Sequence, residues 1–266
     1  GAAPASGFTV WRVAGDGIAC GGMALCGDGG LATDASLSSP SGVALDPAGS
    51  LHVSNTGQNR VRRVSPAGVI TTVAGAGQSC PFATLPCGDG GPATQAQLSG
   101  PGDVAVDAAG NVFIADTGDH RIRKVSAADG RISTVAGNGT QCLDGTKPCG
   151  DGGPATSASL NSPQSVAVDG AGSLYIADTA DQRIRRVTPN GTITAFAGDG
   201  TGCGAPPNCG DGGPPAAAQL SGPFSVAVGP AGGLFIADRG DREVRQVAGG
   251  RIVTVAGDGT KCVPPA

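Results

Sequence analysis

The chain has 266 residues, a net charge of −4, 14% charged residues and 3% aromatics. Its 48 glycines and 20 prolines follow no three-residue period, which excludes collagen. The charge is low and mixed, so no basic footprint for nucleic acid is expected, and no apolar stretch nears the ~18–20 residues of a membrane helix.

From the N terminus, Gly1–Ser6 lacks the charged and apolar regions of a signal peptide and reads as a mature terminus. Residues 8–15 read as a strand, because Val10-Trp-Arg-Val-Ala-Gly15 aligns with Ile70–Gly75 and Ile252–Gly257. That strand has no repeat of its own before it. The tetrapeptide Gly-Asp-Gly-Gly then recurs with its Asp at 28, 89, 151 and 211, at spacings of 61, 62 and 60 residues. A period of this size marks a repeat architecture, in which each unit buries its apolar faces on its neighbours. The units span 27–75, 88–137, 150–198 and 210–257, with a tail over 258–266.

The second unit shows the pattern. Val104–Asp107 is a short apolar strand, and Ala108–Asn111 a turn. Val112–Asp116 is a second strand, Thr117–His120 a turn, Arg121–Val125 a third strand and Arg131–Ala136 a fourth. Four short antiparallel strands joined by tight turns make one propeller blade. The second strands carry apolar residues on both faces, as in Val112-Phe-Ile-Ala115 and Leu174-Tyr-Ile-Ala177. A sheet with one wet face would alternate, whereas a sheet between two others would not. The expectation is an all-β propeller whose four blades close into a ring, with membership of a longer array as the alternative.

Eight of the nine cysteines fall in local pairs ahead of Gly-Asp-Gly-Gly: Cys20/Cys26, Cys80/Cys87, Cys142/Cys149 and Cys203/Cys209. Zinc would want short CxxC spacings or histidines, and the chain has only His52 and His120. Four local disulfides in an oxidising compartment fit better, which points to a secreted or cell-surface protein. Cys262 has no partner in the pattern.

These residues resemble the NHL-repeat family. The match is P-x-x-V-A-V-D-x-x-G-N-x-x-I-A-D-x-x-x-x-R-I-R-x-V, followed by G-x-I-x-T-V-A-G. The extension G-D-G-G-P-A-T-x-A-x-L is similar to bacterial secreted repeats and to the NHL propeller of teneurins. The resemblance implies the fold, and it covers nearly the whole chain. It leaves function open, since NHL propellers include protein-binding, RNA-binding and enzymatic members. Its members usually have about six blades, against four complete repeats here. The cysteine insertion also gives ~61 residues per blade, against ~40–45 in compact repeats.

The site expectations follow from alternating strand direction. One face collects the cysteine loops, the Gly-Asp-Gly-Gly segments and the turns between second and third strands, and loops on a rigid scaffold carry function. Asn55, Asp116, Asp178 and Asp238 end the second strands there, and Glu243 replaces a repeated Arg. A Ca²⁺-dependent hydrolase or lactonase would use that ring. The bland alternative has each Asp binding the amides of its own turn, or pairing with Arg60, Arg121 or Arg183. An NHL enzyme of the amidating-lyase type would need more histidines, so no catalytic residue is assigned. No cofactor or metal is expected, Ca²⁺ being the one candidate. A carbohydrate-binding propeller would want more exposed aromatics. The favoured expectation is a non-catalytic extracellular module that binds proteins or its own copies. Val10, Trp11, Val13, Ile252, Val255 and Cys262 are its assembly elements, because a lone Trp among small residues suits an interface anchor.

Overall fold

The structure, a computed structural model, describes residues 11–20, 26–81, 87–142, 149–204 and 209–260. Blade 1 consists of β1 (Pro40–Leu45), β2 (Leu51–Asn55), β3 (Arg60–Val64) and β4 (Ile70–Ala74). Blade 2 consists of β5 (Pro101–Val106), β6 (Val112–Asp116), β7 (Arg121–Val125) and β8 (Ile132–Ala136). Blade 3 is β9 (Pro163–Val168), β10 (Leu174–Asp178), β11 (Arg183–Val187) and β12 (Ile193–Ala197). Blade 4 is β13 (Pro223–Val228), β14 (Leu234–Asp238), β15 (Glu243–Ala248) and β16 (Arg251–Ala256). Each blade is an antiparallel sheet with its strands in sequence order.

The turns explain the register. Asp46, Asp107 and Asp169 each accept backbone N–H groups two and four residues on, closing the turn between first and second strands. Asn59, His120, Gln182 and Arg242 take a left-handed conformation ahead of the third strand. Each outer strand would leave an open edge, and the Gly-Asp-Gly-Gly segment of its own repeat covers it. Gly29 donates to Ile70, and Ile70 to Gly30, in a pattern repeated in blades 2 to 4. The first glycine of the tetrapeptide is required: Gly88 has φ +90°, and a Cβ there would lie 2.7 Å from the Ala96 backbone.

Three apolar cores lie between successive blades. Val61, Ala74, Val104, Ile114 and Ile132 form one between blades 1 and 2. Phe113, Ala115, Val166, Ile176 and Ile193 form the next, and Tyr175, Ala177, Val226, Ile236 and Ile252 the third. Both faces of the middle sheets are therefore buried, which is why their strands carry no polar alternation.

The expected ring does not close. The inner strands β1, β5, β9 and β13 pack in succession, and no comparable packing returns from β13 to β1 among the described residues. Val43 and Leu45 of β1 are 64% and 69% exposed, whereas Val104 at the place of Val43 in blade 2 is 3% exposed. At the other end Ser225, Ala227 and Ala256 are exposed, where their counterparts Ser165, Ala167 and Ala197 are buried. The molecule is an arc of four blades.

The expected strand over 8–15 also differs. Its described part, 11–15, pairs with no strand. It nonetheless seats on blade 1: Gly15 donates to Ala32 and Asp16 to Ala35, both at 2.9 Å. Gly75 and Ala76, at the end of β4, bind Ala93 and Ala96 in the same way. Ala14 packs on the small cluster of Ala32, Ala35, Val64 and Ile70.

The arc sets unequal costs for equivalent substitutions. Val104→Ala should cost roughly 2 kcal/mol and Val43→Ala less than about 0.5. Urea denaturation of both variants checks this, and equal losses would mean that blade 4 covers blade 1 in solution.

Candidate functional site

The loop face is organised around one buried arginine per blade. Arg62, Arg123, Arg185 and Arg245 sit at the centre of their third strands and are fully buried. Each guanidinium reaches the carboxylate of its own repeat's tetrapeptide, Asp28, Asp89, Asp151 or Asp211. The second oxygen of that carboxylate accepts a backbone N–H from the fourth strand: Thr72 at 3.0 Å, Thr134 at 2.8 Å, Thr254 at 2.8 Å, and Ala195 at 2.5 Å. The arginines also donate to the carbonyls of Cys26, Cys87, Cys149 and Cys209. In this way the third strand, the fourth strand and the cysteine loop are tied at one point.

The four cysteine pairs are joined as disulfides, with Cα–Cα distances of 6.0, 5.8, 5.8 and 5.6 Å. Val10 and Cys262 lie outside the described residues.

The residues expected as a ligand ring serve the same network. Asn55, Asp116, Asp178 and Asp238 are fully buried. Each accepts a backbone N–H from the loop entering its own blade, at Ser38, Ser99, Asn161 and Ser221, between 2.6 and 2.8 Å. Asp116 and Asp178 also meet Arg123 and Arg185 at 3.1 and 3.3 Å. Two expectations are thereby corrected. The amides come from the loop before the blade and not from the turn after the strand. The guanidinium partners are the arginines two positions beyond Arg60, Arg121 and Arg183, which reach the carbonyls of Ala76, Asn138 and Asp199 instead. Asp116, Asp178 and Asp238 do not converge to metal-ligand distance; among the described residues the one such group is Cys203, Cys209 and Asp241, whose cysteines are bridged. Glu243 accepts from Thr254 Oγ1 at 3.0 Å and lies 3.8 Å from Arg245.

A second carboxylate backs each of these in blades 2 to 4: Asp119, Asp181 and Asp241, all buried. Burial, with these neighbours adding repulsion, pushes Asp116, Asp178 and Asp238 up to about 7. Burial also raises Asp119, Asp181 and Asp241. In blade 1 the same two places hold Asn55 and Gln58, and Asn55 Nδ2 donates to Gln58 Oε1. The amide pair, with its own N–H donor, makes without a titratable proton the link that two carboxyls make only when one is protonated.

The expected assembly residues separate. Trp11 is 79% exposed, and Val13 and Val255 are also exposed. Ile252 is not available to a partner, because its side chain is fully buried between blades 3 and 4. The sequence reading missed the four buried arginines. Their signal was present: the second Arg of R-x-R occurs in every repeat, while the first becomes Glu243 in blade 4.

The sequence model of the family described as "Teneurin NHL domain" matches residues 4–79, 72–137, 126–184 and 180–248. Teneurin-1 of Mus musculus is 34% identical over 235 residues, covering 84% of this chain and 8% of that protein. Teneurin-m of Drosophila melanogaster is 32% identical over 251 residues, covering 88% and 9%. The chain thus spans less than a tenth of these relatives. Among solved structures, a chain of the nidogen/laminin complex superposes with a TM-score of 0.56 at 16% identity, over 85% of this chain and 67% of that one. An auxiliary nutrient binding protein from Bacteroides ovatus superposes at 0.53 with 18% identity, over 84% and 50%. These superpositions speak to the fold.

Arg123→Met leaves the buried Asp116 and the half-buried Asp89 without their cation and should cost about 3–5 kcal/mol in denaturant melts. The pH response has a definite sign. The three carboxyls near 7 lie above the ~3.9 of an unfolded Asp, so protonation favours the fold. Their contribution is complete below about pH 4, falls between pH 4 and 7, and is gone above. Between pH 5 and 8 the parent should therefore lose stability relative to the triple variant Asp116→Asn, Asp178→Asn, Asp238→Asn. Parallel stability curves for the two proteins would contradict the assignment.

Proposed function

The chain belongs to the teneurin NHL-domain family, and from that premise we propose that it is a non-catalytic extracellular interaction module. The observation that carries this reading is the use of the loop-face acids. The groups a hydrolase would recruit for metal binding or proton transfer are buried and engaged in holding strands and disulfide loops together. A carboxylate held by an Arg and a backbone amide has few lone pairs left for Ca²⁺, which takes six to eight oxygens. The four disulfides support placement outside the cell or on its surface. What the module offers a partner is a face whose turns and disulfides are anchored to the blades.

A second reading, association between copies, is favoured by the exposure of Trp11 and Val13 on the N-terminal segment. A lone exposed Trp beside a Val is the composition of an interface anchor.

Two measurements test the proposal. Calorimetric titration with Ca²⁺ should give no stoichiometric binding. Probing an array of purified extracellular domains with the fluorescent protein should give saturable binding that EDTA leaves unchanged. Stoichiometric Ca²⁺ binding, removed by Asp178→Ala in a protein that still folds, would overturn this reading and favour the Ca²⁺-dependent hydrolase instead. Light scattering of the Trp11→Ser variant against the parent tests association between copies.

A further inference from the structure

Blades 1 to 3 each grip the next blade with the same two hydrogen bonds. The first runs from a threonine after the second strand to a proline carbonyl opening the next blade. Thr56 donates to Pro101, Thr117 to Pro163 and Thr179 to Pro223, all at 2.7 Å. The second is accepted by the left-handed residue three positions on. Asn59 accepts from the Gly100 amide at 2.8 Å, His120 from Ser162 at 3.1 Å and Gln182 from Gly222 at 2.5 Å. The acceptor residue changes from blade to blade, but its chemistry does not.

Blade 4 breaks both. Arg239 stands at the threonine position and Arg242 at the acceptor position. A guanidinium has five donors and no acceptor, so Arg242 cannot receive a backbone N–H. It donates to Gly259 at 3.0 Å, and Arg239 lies over the Phe224 ring at 5.2 Å. The two arginines and Phe224 are exposed, with Val253 and Val255 exposed beside them. Together with Ala237, Val244, Ala256 and the acids Asp238 and Glu243, the arginines and Phe224 frame a cleft of ≈ 380 Å³. Asp238 and Glu243 are both buried and lie 3.9 and 3.8 Å from the buried Arg245, so the exposed charges at the cleft are the two arginines.

We propose that this flank of blade 4 docks an extended partner segment bearing a carboxylate beside an apolar side chain, rather than a fifth copy of the repeat or a second copy of the chain. Charge complementarity selects the occupant. A repeat presents an N–H opposite Arg242, where two donors face each other; an acidic residue there presents an acceptor to both arginines. The apolar side chain meets Phe224 and Val255. A second copy is disfavoured on separate grounds. Its blade 1 already carries Gly15 and Asp16 in the place that Gly257 and Asp258 of the first copy would take.

The test uses the ¹⁵N-labelled full chain and two decapeptides. One copies residues 160–169, Leu-Asn-Ser-Pro-Gln-Ser-Val-Ala-Val-Asp. The other carries Asp in place of the serine that corresponds to Ser162. The acidic peptide should shift the amides of Arg239, Arg242 and Val244, with an affinity about fivefold higher than the repeat peptide, the size expected of one exposed ion pair. The Arg242→Gln variant restores an acceptor and should reverse the order; its thermal melt, compared with the parent, confirms that it folds. Equal binding of the two peptides, preference for the repeat peptide, or binding of neither would each overturn the proposal. So would concentration-dependent dimerisation that moves the same amides, since a second copy would then be the occupant.

Discussion

One guanidinium per blade is the constraint from which the rest of the loop face follows. Arg62, Arg123, Arg185 and Arg245 have no exposure to water, so each charge must be met inside the protein. The tetrapeptide Asp meets it from the rim, and in blades 2 and 3 the Asp ending the second strand meets it from within. Because the cysteine-loop carbonyls bind the same cation, the disulfide segment is fixed to its blade by a charged contact as well as by its covalent bridge. Loss of the cation would strand two anions and one loop together.

This arrangement shows why a repeated acid need not be a site. A metal needs several oxygens aimed at one point, whereas here each carboxylate is aimed into its own sheet. Blade 1 makes the point by substitution. Asn55 and Gln58 occupy the places of two acids and keep the geometry without their charge. The position asks for hydrogen-bond shape, and charge is one of two ways to meet it.

The blades were legible in the sequence because their period, turn residues and two-sided apolar strands all agree. Cysteine pairing was legible for the same reason: eight of nine fall at one place in the repeat. Closure was not legible, since Val43 and Val104 are the same residue in the same motif, and only the neighbour decides which is buried. The arginine partners were misassigned because Arg60 and Arg62 differ by one step of the strand's two-residue period and are both buried; their place along the strand relative to Asp28, which no pattern records, separates them. Ile252 was misplaced for a related reason. Its segment aligns with an exposed one at the N terminus, yet its own blade buries it.

The seating of Gly15 and Asp16 on blade 1 makes the two flanks of the arc unlike in a way that exposure alone does not convey. The rim on that side is already filled by one segment, while the inner positions against Val43 and Leu45 stand open. A blade brought there would find the bonds to Ala32 and Ala35 already made. Anything that covers this flank must therefore meet Val43 and Leu45 from the inside while leaving the bonds to Ala32 and Ala35 to the segment that already makes them.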